Sequence, residues 1–385
     1  MKILVVTDAW KPQMNGVVRT LFETIAQCRK AGHTVEIITP SDGFTTMPLP
    51  SYPDIKISLF PKRAVERRIA VFSPDAVHIA TEGPLGWAAR SICLKWGMPF
   101  TTSYHTKFPE YVHSRLPILP MKWTYKFVRS FHNASGRIMV TTPSMSIFLE
   151  KKGFENLAVW TRGVDLTQFH PGKRFDKTDA FGADIYAGLK RPIFVNVGRV
   201  AVEKNIESFL ELDLPGSKVV VGDGPALGSL SKKYGGVVKF VGAKHGEELT
   251  RYFADADVFV FPSRTDTFGL VIIEAMATGT PVAGYPVSGP IDIIPGSGAG
   301  IVDEDLSKAS LICLDLDRGV AVQYARRFSW ESVAADFVAL LEPEVPPKRR
   351  VRWRRVRRTT KLAAAPWRTL KKIARRLGRF VKTGR

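Results

Sequence analysis

Short, continuously apolar runs recur at Lys2–Thr7, Val35–Thr39, Ala76–Ala80, Phe100–Tyr104 and Arg137–Thr142. They do not alternate apolar with polar residues, so both faces of each run need cover, as in the strands of a parallel sheet. Between the first two runs, Val18, Leu21, Phe22 and Ile25 share one helical face, and Gly32 supplies a stop. The unit is strand–helix–strand, and its repetition predicts a doubly wound α/β sheet. A second set of buried-strand runs follows at Ile193–Val197, Lys218–Val221, Val238–Val241, Asp257–Phe261 and Pro281–Ala283, again separated by helical patterns. From Phe169 to Pro192 the chain is polar, charged and rich in Gly and Pro, which reads as a linker. From Tyr324 to Leu341 the spacing of Phe328, Val333, Phe337, Leu340 and Leu341 predicts one amphipathic helix, and Pro343, Pro346 and Pro347 end the folded part. The pattern therefore predicts two doubly wound domains, residues 1–170 and 193–323, joined by a linker at 171–192. A helix at 324–343 packs back on the first domain, and 344–385 form a tail.

Composition refines this picture. A length of 385 residues suits two domains, and 45% apolar with 24% charged residues excludes a wholly disordered chain. The net charge of +20 is unevenly placed: 17 of the 56 Lys and Arg lie between Lys348 and Arg385, where no Asp or Glu occurs. The body is then near neutral, at about +3, and the tail needs its own explanation. Cys28, Cys93 and Cys313 are scattered without metal-ligand spacing, as in a protein of a reducing cytosol. No secretory leader pattern opens the sequence, and no window approaches the roughly 18 apolar residues of a membrane span. The Asn133-Ala134-Ser135 sequon then reads as a chance match.

Several loops carry candidate chemistry. Asn15 and Gly16 fall where the first helix begins, a place where free N–H groups favour an anion and Gly permits close approach. The plain alternative is an ordinary loop capped by Asn15. His105 follows the fourth apolar run, at a strand's carboxyl end, where doubly wound folds bind ligands; a lone His is more often structural. Arg199 ends the first strand of the second domain and Lys204 follows five residues on, a cation pair suited to a diphosphate, although Glu203 partly offsets it. Val221-Gly222-Asp223-Gly224-Pro225 fits the dinucleotide fingerprint poorly and reads better as a tight turn. Phe261–Pro281 says most. Thr267-Phe268-Gly269-Leu270 can start a helix between Asp266 and Glu274. Carboxylates suit hydroxyls and helix starts suit phosphate, so the segment suggests a ligand with both sugar and diphosphate.

At these residues the chain resembles the retaining glycosyltransferases of family 4, with the GT-B fold, over roughly Met1 to Leu341. The resemblance rests on the N-terminal Gly loop, the His-containing strand end, Gly-Arg with Lys five on, and the acid pair around Phe-Gly-Leu. The family's first acid is usually Glu; here it is Asp266, one methylene shorter. The resemblance implies an acceptor-binding N-terminal domain and a nucleotide-sugar-binding C-terminal one. It implies that Arg199 and Lys204 hold the donor diphosphate, and that Asp266 and the backbone of Phe268, Gly269 and Leu270 contact the transferred sugar. Glu274 would hold the ribose, His105 would lie near the reacting carbon, and Gly16 would line the cleft. The implied reaction moves a hexosyl group from a nucleotide diphosphate sugar to a hydroxyl with retention. No cofactor is expected. Of three Asp-x-Asp triplets, Asp255/Asp257 matches a structural stretch of the family, while Asp303/Asp305 and Asp315/Asp317 fall in an acidic loop and at a strand end, so no catalytic metal is expected.

The tail carries a second signal. In Pro366–Lys382, Trp367, Leu370, Ile373, Leu377 and Phe380 keep helical spacing on one face, with Lys371, Lys372, Arg375 and Arg376 among the basic residues around them. That is the pattern of a helix lying in an anionic membrane surface. Arg-rich segments also bind RNA, but phosphate contact alone does not require an apolar stripe. The first domain adds Lys62-Arg63 with Arg67-Arg68 and the apolar, basic run Leu116–Phe131. The resemblance is strongest to the branch with sulfoquinovosyl- and glycosyl-diacylglycerol synthases and lipid mannosyltransferases. The expectation is a peripheral enzyme on the inner face of the cell membrane. Its expected acceptor is diacylglycerol and its donor UDP-glucose or UDP-glucuronate; the alternative is a GDP-mannose-dependent α-mannosyltransferase acting on a lipid or a cell-envelope glycan. A tail-driven nucleic-acid binder is the alternative of another class.

Overall fold

The computed structural model describes residues 1–341 except Met14, 50–51, 116–119 and 175–183. The first domain holds β1 (Lys2–Val6), β2 (Thr34–Ile38), an antiparallel hairpin of β3 (Thr46–Leu49) and β4 (Tyr52–Ser58), then β5 (Ala76–Ile79), β6 (Thr101–Tyr104), β7 (Arg137–Val140) and β8 (Leu157–Val159). Apart from the hairpin these strands form one parallel sheet, ordered β2-β1-β5-β6-β7-β8. The second domain holds β9 (Ile193–Val197), β10 (Ser217–Val221), β11 (Val238–Phe240), β12 (Val258–Phe261), β13 (Val282–Gly284) and β14 (Gly300–Val302). They form a parallel sheet ordered β11-β10-β9-β12-β13-β14. In each sheet the chain runs outward from the first strand and returns beside it, so order reverses at β1/β5 and at β9/β12. Crevices open at the carboxyl ends of such reversal points.

Burial explains the unalternating strand sequences. Along β1, Ile3 and Val5 face the helix Gly16–Lys30, packing with Leu21 and Ile25. Leu4 and Val6 face the other layer, with Val65, Ile69, Leu85 and Ile92. All four strand residues are fully buried. In β9, Val195 packs with Ile272 and Met276 of the helix Leu270–Ala277, while Phe194 packs with Phe209 and Val220 on the opposite side. Val164, Phe169 and Tyr186, which flank the crossing between domains, lie in the core of the second sheet.

The helix expected over Tyr324–Leu341 is two. Arg318–Ala325 ends, and Trp330–Leu340 begins after Ser329, whose hydroxyl accepts from the Ser332 N–H. The Ser329 cap competes with helix continuation, which the apolar spacing alone does not register. Trp330, Val333 and Phe337 return to the first domain beside Ile3, Val5 and Leu21. Trp160 fixes this return: its Nε1–H donates to the Val333 carbonyl at 3.0 Å and its ring lies 5.0 Å from that of Phe337. Trp160→Ala should therefore cost about 3–5 kcal/mol of stability, measured by urea unfolding of the full chain. A loss below about 1 kcal/mol would contradict this packing role. Among the described residues, no helix is long and apolar enough to cross a membrane.

Candidate active site

Two helix starts meet between the domains. Asn15 caps the helix Gly16–Lys30, its side-chain oxygen accepting from the Val17 and Val18 N–H groups, each at 3.0 Å. The helix Leu270–Ala277 follows Gly269, whose φ of +89° is a left-handed conformation that favours glycine. A side chain at Gly16 would place its β-carbon 3.5 Å from Leu270 Cδ1, so each start lines the same gap. The loop before the second helix is tied across the gap: Thr267 Oγ1 donates to the His105 carbonyl at 2.7 Å, and Thr141 Oγ1 donates to the Thr267 carbonyl at 2.5 Å. Ser144 adds a second tie, its N–H donating to Asp292 at 2.9 Å.

The charged groups come from both sides. Arg199 stands exposed just beyond β9, and Lys204 ends a short 3-10 turn, Val202–Lys204. Lys204 Nζ lies 2.5 Å from Asp266 Oδ1, beyond β12, so this pair sits at the β9/β12 reversal point. Burial raises the Asp266 carboxyl, but Lys204 and Lys107 outweigh it and hold the group below its ordinary range. Lys107 is itself buried, and that burial lowers its amine. Glu274 is 3% exposed and forms an ion pair with Arg19, from the first turn of the helix Gly16–Lys30. Its burial raises the carboxyl above the ordinary 4.5, with Arg19 pulling the other way.

His105 lies just beyond β6. Its Nδ1 accepts from Arg162 Nη2 at 3.0 Å, and its ring meets Trp160 edge-on. Burial above all, then Arg162, His78 and His132, keeps the ring far below its ordinary value of 6.5, so it is neutral at neutral pH. Sequence reading did not identify Arg19, Lys107 or Arg162. Arg19 lies only three residues after Gly16, and that position in the first turn of a helix facing the cleft was the available signal.

Other sequence candidates take plainer roles. The Phe268 side chain is buried against Phe328, which leaves its backbone for any ligand contact. A β-carbon at Gly222 would lie 1.8 Å from the Gly198 carbonyl oxygen, and one at Gly224 2.3 Å from that of Val200. Those glycines let two loops stack, as a tight turn requires. Asp257 pairs with Arg191 at 2.9 Å, Asp303 pairs with Lys308, Asp305 caps the helix Leu306–Ile312 and Asp317 caps Arg318–Ala325. The candidate membrane residues Trp367, Leu370, Lys371, Lys372, Ile373, Arg375, Arg376, Leu377 and Phe380 lie outside the described residues.

Residues 14–168 match the family model for Glycosyltransferase Family 4, and residues 191–311 match that for Glycosyl transferases group 1. The sulfoquinovosyl transferase of Arabidopsis thaliana is 30% identical over 72% of this chain, which spans 58% of that relative's length. A GDP-mannose-dependent alpha-mannosyltransferase of Corynebacterium glutamicum is 30% identical over 76% of this chain and 74% of its own. The alpha-monoglucosyldiacylglycerol synthase of Streptococcus pneumoniae is 26% identical over 74% of this chain and 71% of its own. Among solved structures, sucrose-phosphate synthase from Thermosynechococcus elongatus superposes with a TM-score of 0.68 at 21% identity, covering 88% of this chain and 98% of its own. Two parallel-sheet domains facing across tied helix starts, two family models in the same order, and relatives matched over most of their length agree: this chain belongs to glycosyltransferase family 4 and has the GT-B fold.

Proposed function

We propose that the chain transfers a hexosyl group from a nucleotide diphosphate sugar to a membrane lipid, with UDP-glucose or UDP-glucuronate as donor and diacylglycerol as acceptor. The observation that carries transfer is the meeting, in one gap, of two helix starts with Lys204, Asp266, Glu274 and His105. The demanding step is departure of the nucleoside diphosphate. Charge grows on its oxygens, and Arg199, Lys204 and the N–H groups at Gly269 and Leu270 stabilise that charge more in the transition state than before it. Lys204 exchanges Asp266 for phosphate as the donor enters, which frees Asp266 to accept from sugar hydroxyls. Glu274, held by Arg19, accepts from the ribose hydroxyls. His105 lies beside the reacting carbon, and Gly16 leaves room for it. The reading includes retention of the anomeric configuration, with the chain's own cations rather than a metal at the diphosphate.

The name of the streptococcal relative favours a lipid acceptor. The tail pattern and the exposed Phe60, Val71 and Trp123, close in sequence to Lys62, Arg63, Arg67 and Lys122, favour work at an anionic membrane surface, its cytoplasmic face included. The corynebacterial relative supports GDP-mannose as the second donor reading. The test incubates the full chain with phosphatidylglycerol vesicles containing diacylglycerol and radiolabelled UDP-glucose, UDP-glucuronate or GDP-mannose, followed by lipid extraction. Label from a UDP-sugar in the organic phase is expected. Label from GDP-mannose alone replaces the donor, and label confined to the aqueous phase refutes the lipid acceptor. Deleting 348–385 should abolish sedimentation with these vesicles; unchanged sedimentation rejects the membrane role of the tail.

A further inference from the structure

Three histidines cluster at the carboxyl end of the first sheet, and two of them use both ring nitrogens on the protein. His78 bonds Thr101 Oγ1 and Ser103 Oγ, each at 2.9 Å. His132 bonds Thr102 Oγ1 and Glu82 Oε1, also at 2.9 Å. His105 differs. Its Nδ1 is taken by Arg162, while its Nε2 is buried and has no hydrogen-bond partner among the described residues.

Arg162 is 3% exposed. Its Nη1 donates to the Trp160 and Thr161 carbonyls at 2.7 and 2.9 Å, and its guanidinium lies over the Trp160 ring at 4.6 Å. These contacts leave Nη2 aimed at the imidazole. A guanidinium has donors and no acceptor. The nitrogen facing it must therefore be the unprotonated one, which excludes both the imidazolium and the Nδ1–H tautomer. The proton of the neutral ring is then on Nε2.

We infer that Arg162 is a positioning residue that locks His105 as the neutral Nε2–H tautomer, so that Nε2–H is the donor offered to the transferred sugar. The inference rests on the proposed placement of the sugar beside His105. The chemistry suits that placement: a neutral donor can bind a hydroxyl without adding positive charge beside a carbon that becomes cationic in the transition state. A guanidinium serves better than an amide, since an amide can turn its oxygen to the ring and reverse the tautomer. Burial lowers the guanidinium only to about 9, so it remains charged at neutral pH.

The test uses the full chain labelled with 15N-histidine, with His105 assigned by difference against His105→Asn. Long-range 1H–15N spectra should show His105 protonated at Nε2 alone from pH 6 to 8. Arg162→Met should give mixed tautomers or an imidazolium, and should lower kcat by about 10²-fold with the donor KM little changed. Arg162→Lys, which keeps a donor, should retain the tautomer and recover part of kcat. A wild-type signal from Nδ1–H or from the imidazolium overturns the inference even if Arg162→Met does not fold. So does an unchanged tautomer in a folded Arg162→Met chain. A changed tautomer with unchanged kcat leaves the lock standing and refutes the role of His105 in transfer.

Discussion

Lys204→Ala should cut kcat about 10²–10³-fold at saturating donor, with the fold intact by circular dichroism. Removing one preorganised group from a developing oxyanion costs about 2.7–4 kcal/mol of barrier. Lys204 lies at the β9/β12 reversal point, the part of the second domain where the fold leaves a crevice, and it is partly exposed, so its loss opens no core cavity. The same substitution also strips Asp266 of its ion-pair partner. Lys107 also acts on that carboxylate, less strongly than Lys204. An anion then stands where the donor diphosphate should enter. Arg199 is not among the groups that chiefly set the Asp266 carboxyl, whereas Lys204 is, so Lys204→Ala should be more damaging than Arg199→Ala. Lys204→Ala combined with Asp266→Asn should recover part of the donor affinity. Steady-state rates with varied donor decide it: near-normal turnover in Lys204→Ala would remove Lys204 from the site.

What the sequence disclosed, and what it concealed, follows from the range of the interactions. Buried strands such as Ile3–Val6 and Ile193–Val197 announce themselves because both faces must be apolar, and that constraint is written locally. β8 and β14 are three-residue edge strands without a single buried position, so the need for apolar cover on both faces is weak there; β11, equally short and also an edge strand, buries Val238. The β3–β4 hairpin falls in a stretch broken by Pro48 and Pro50. The strand-end loops were legible as loops with chemistry, and Gly16, His105, Lys204, Asp266 and Glu274 do converge on one gap. Their partners were not legible. Arg19 meets Glu274 across 255 positions and Arg162 meets His105 across 57, and neither spacing leaves a local trace. The phenyl ring of Phe268 points the other way: its motif suggests a ligand, yet its side chain belongs to the core and only the backbone is available. The charge asymmetry, by contrast, is visible only in the sequence.

The Glu274–Arg19 pair should separate catalysis from folding. Glu274→Ala is expected to lower kcat/KM by about 10²–10⁴-fold, since on the proposed reading it removes the acceptor of two ribose hydroxyls, and each hydrogen bond to a charged group is worth about 1.5–3 kcal/mol. Arg19→Met leaves the buried carboxylate of Glu274 without its cation, which should cost about 3 kcal/mol of stability, the low end for a broken buried pair because Arg19 is 31% exposed. The pH dependence has a defined sign. The folded carboxyl already lies above the ordinary 4.5, and losing Arg19 moves it higher. Between the unfolded and folded values the folded chain holds a proton that the unfolded chain has released, so stability falls as pH rises through that window. The deficit of Arg19→Met, read as a drop in Tm against wild type, should therefore be larger at pH 8 than at pH 5. Adding Glu274→Gln removes the charge, and the double variant should lose that pH dependence and recover most of the Tm. A deficit equal at both pH values, and unrelieved by Glu274→Gln, would mean that Arg19 stabilises the chain through its contact with the Phe169 ring rather than through Glu274.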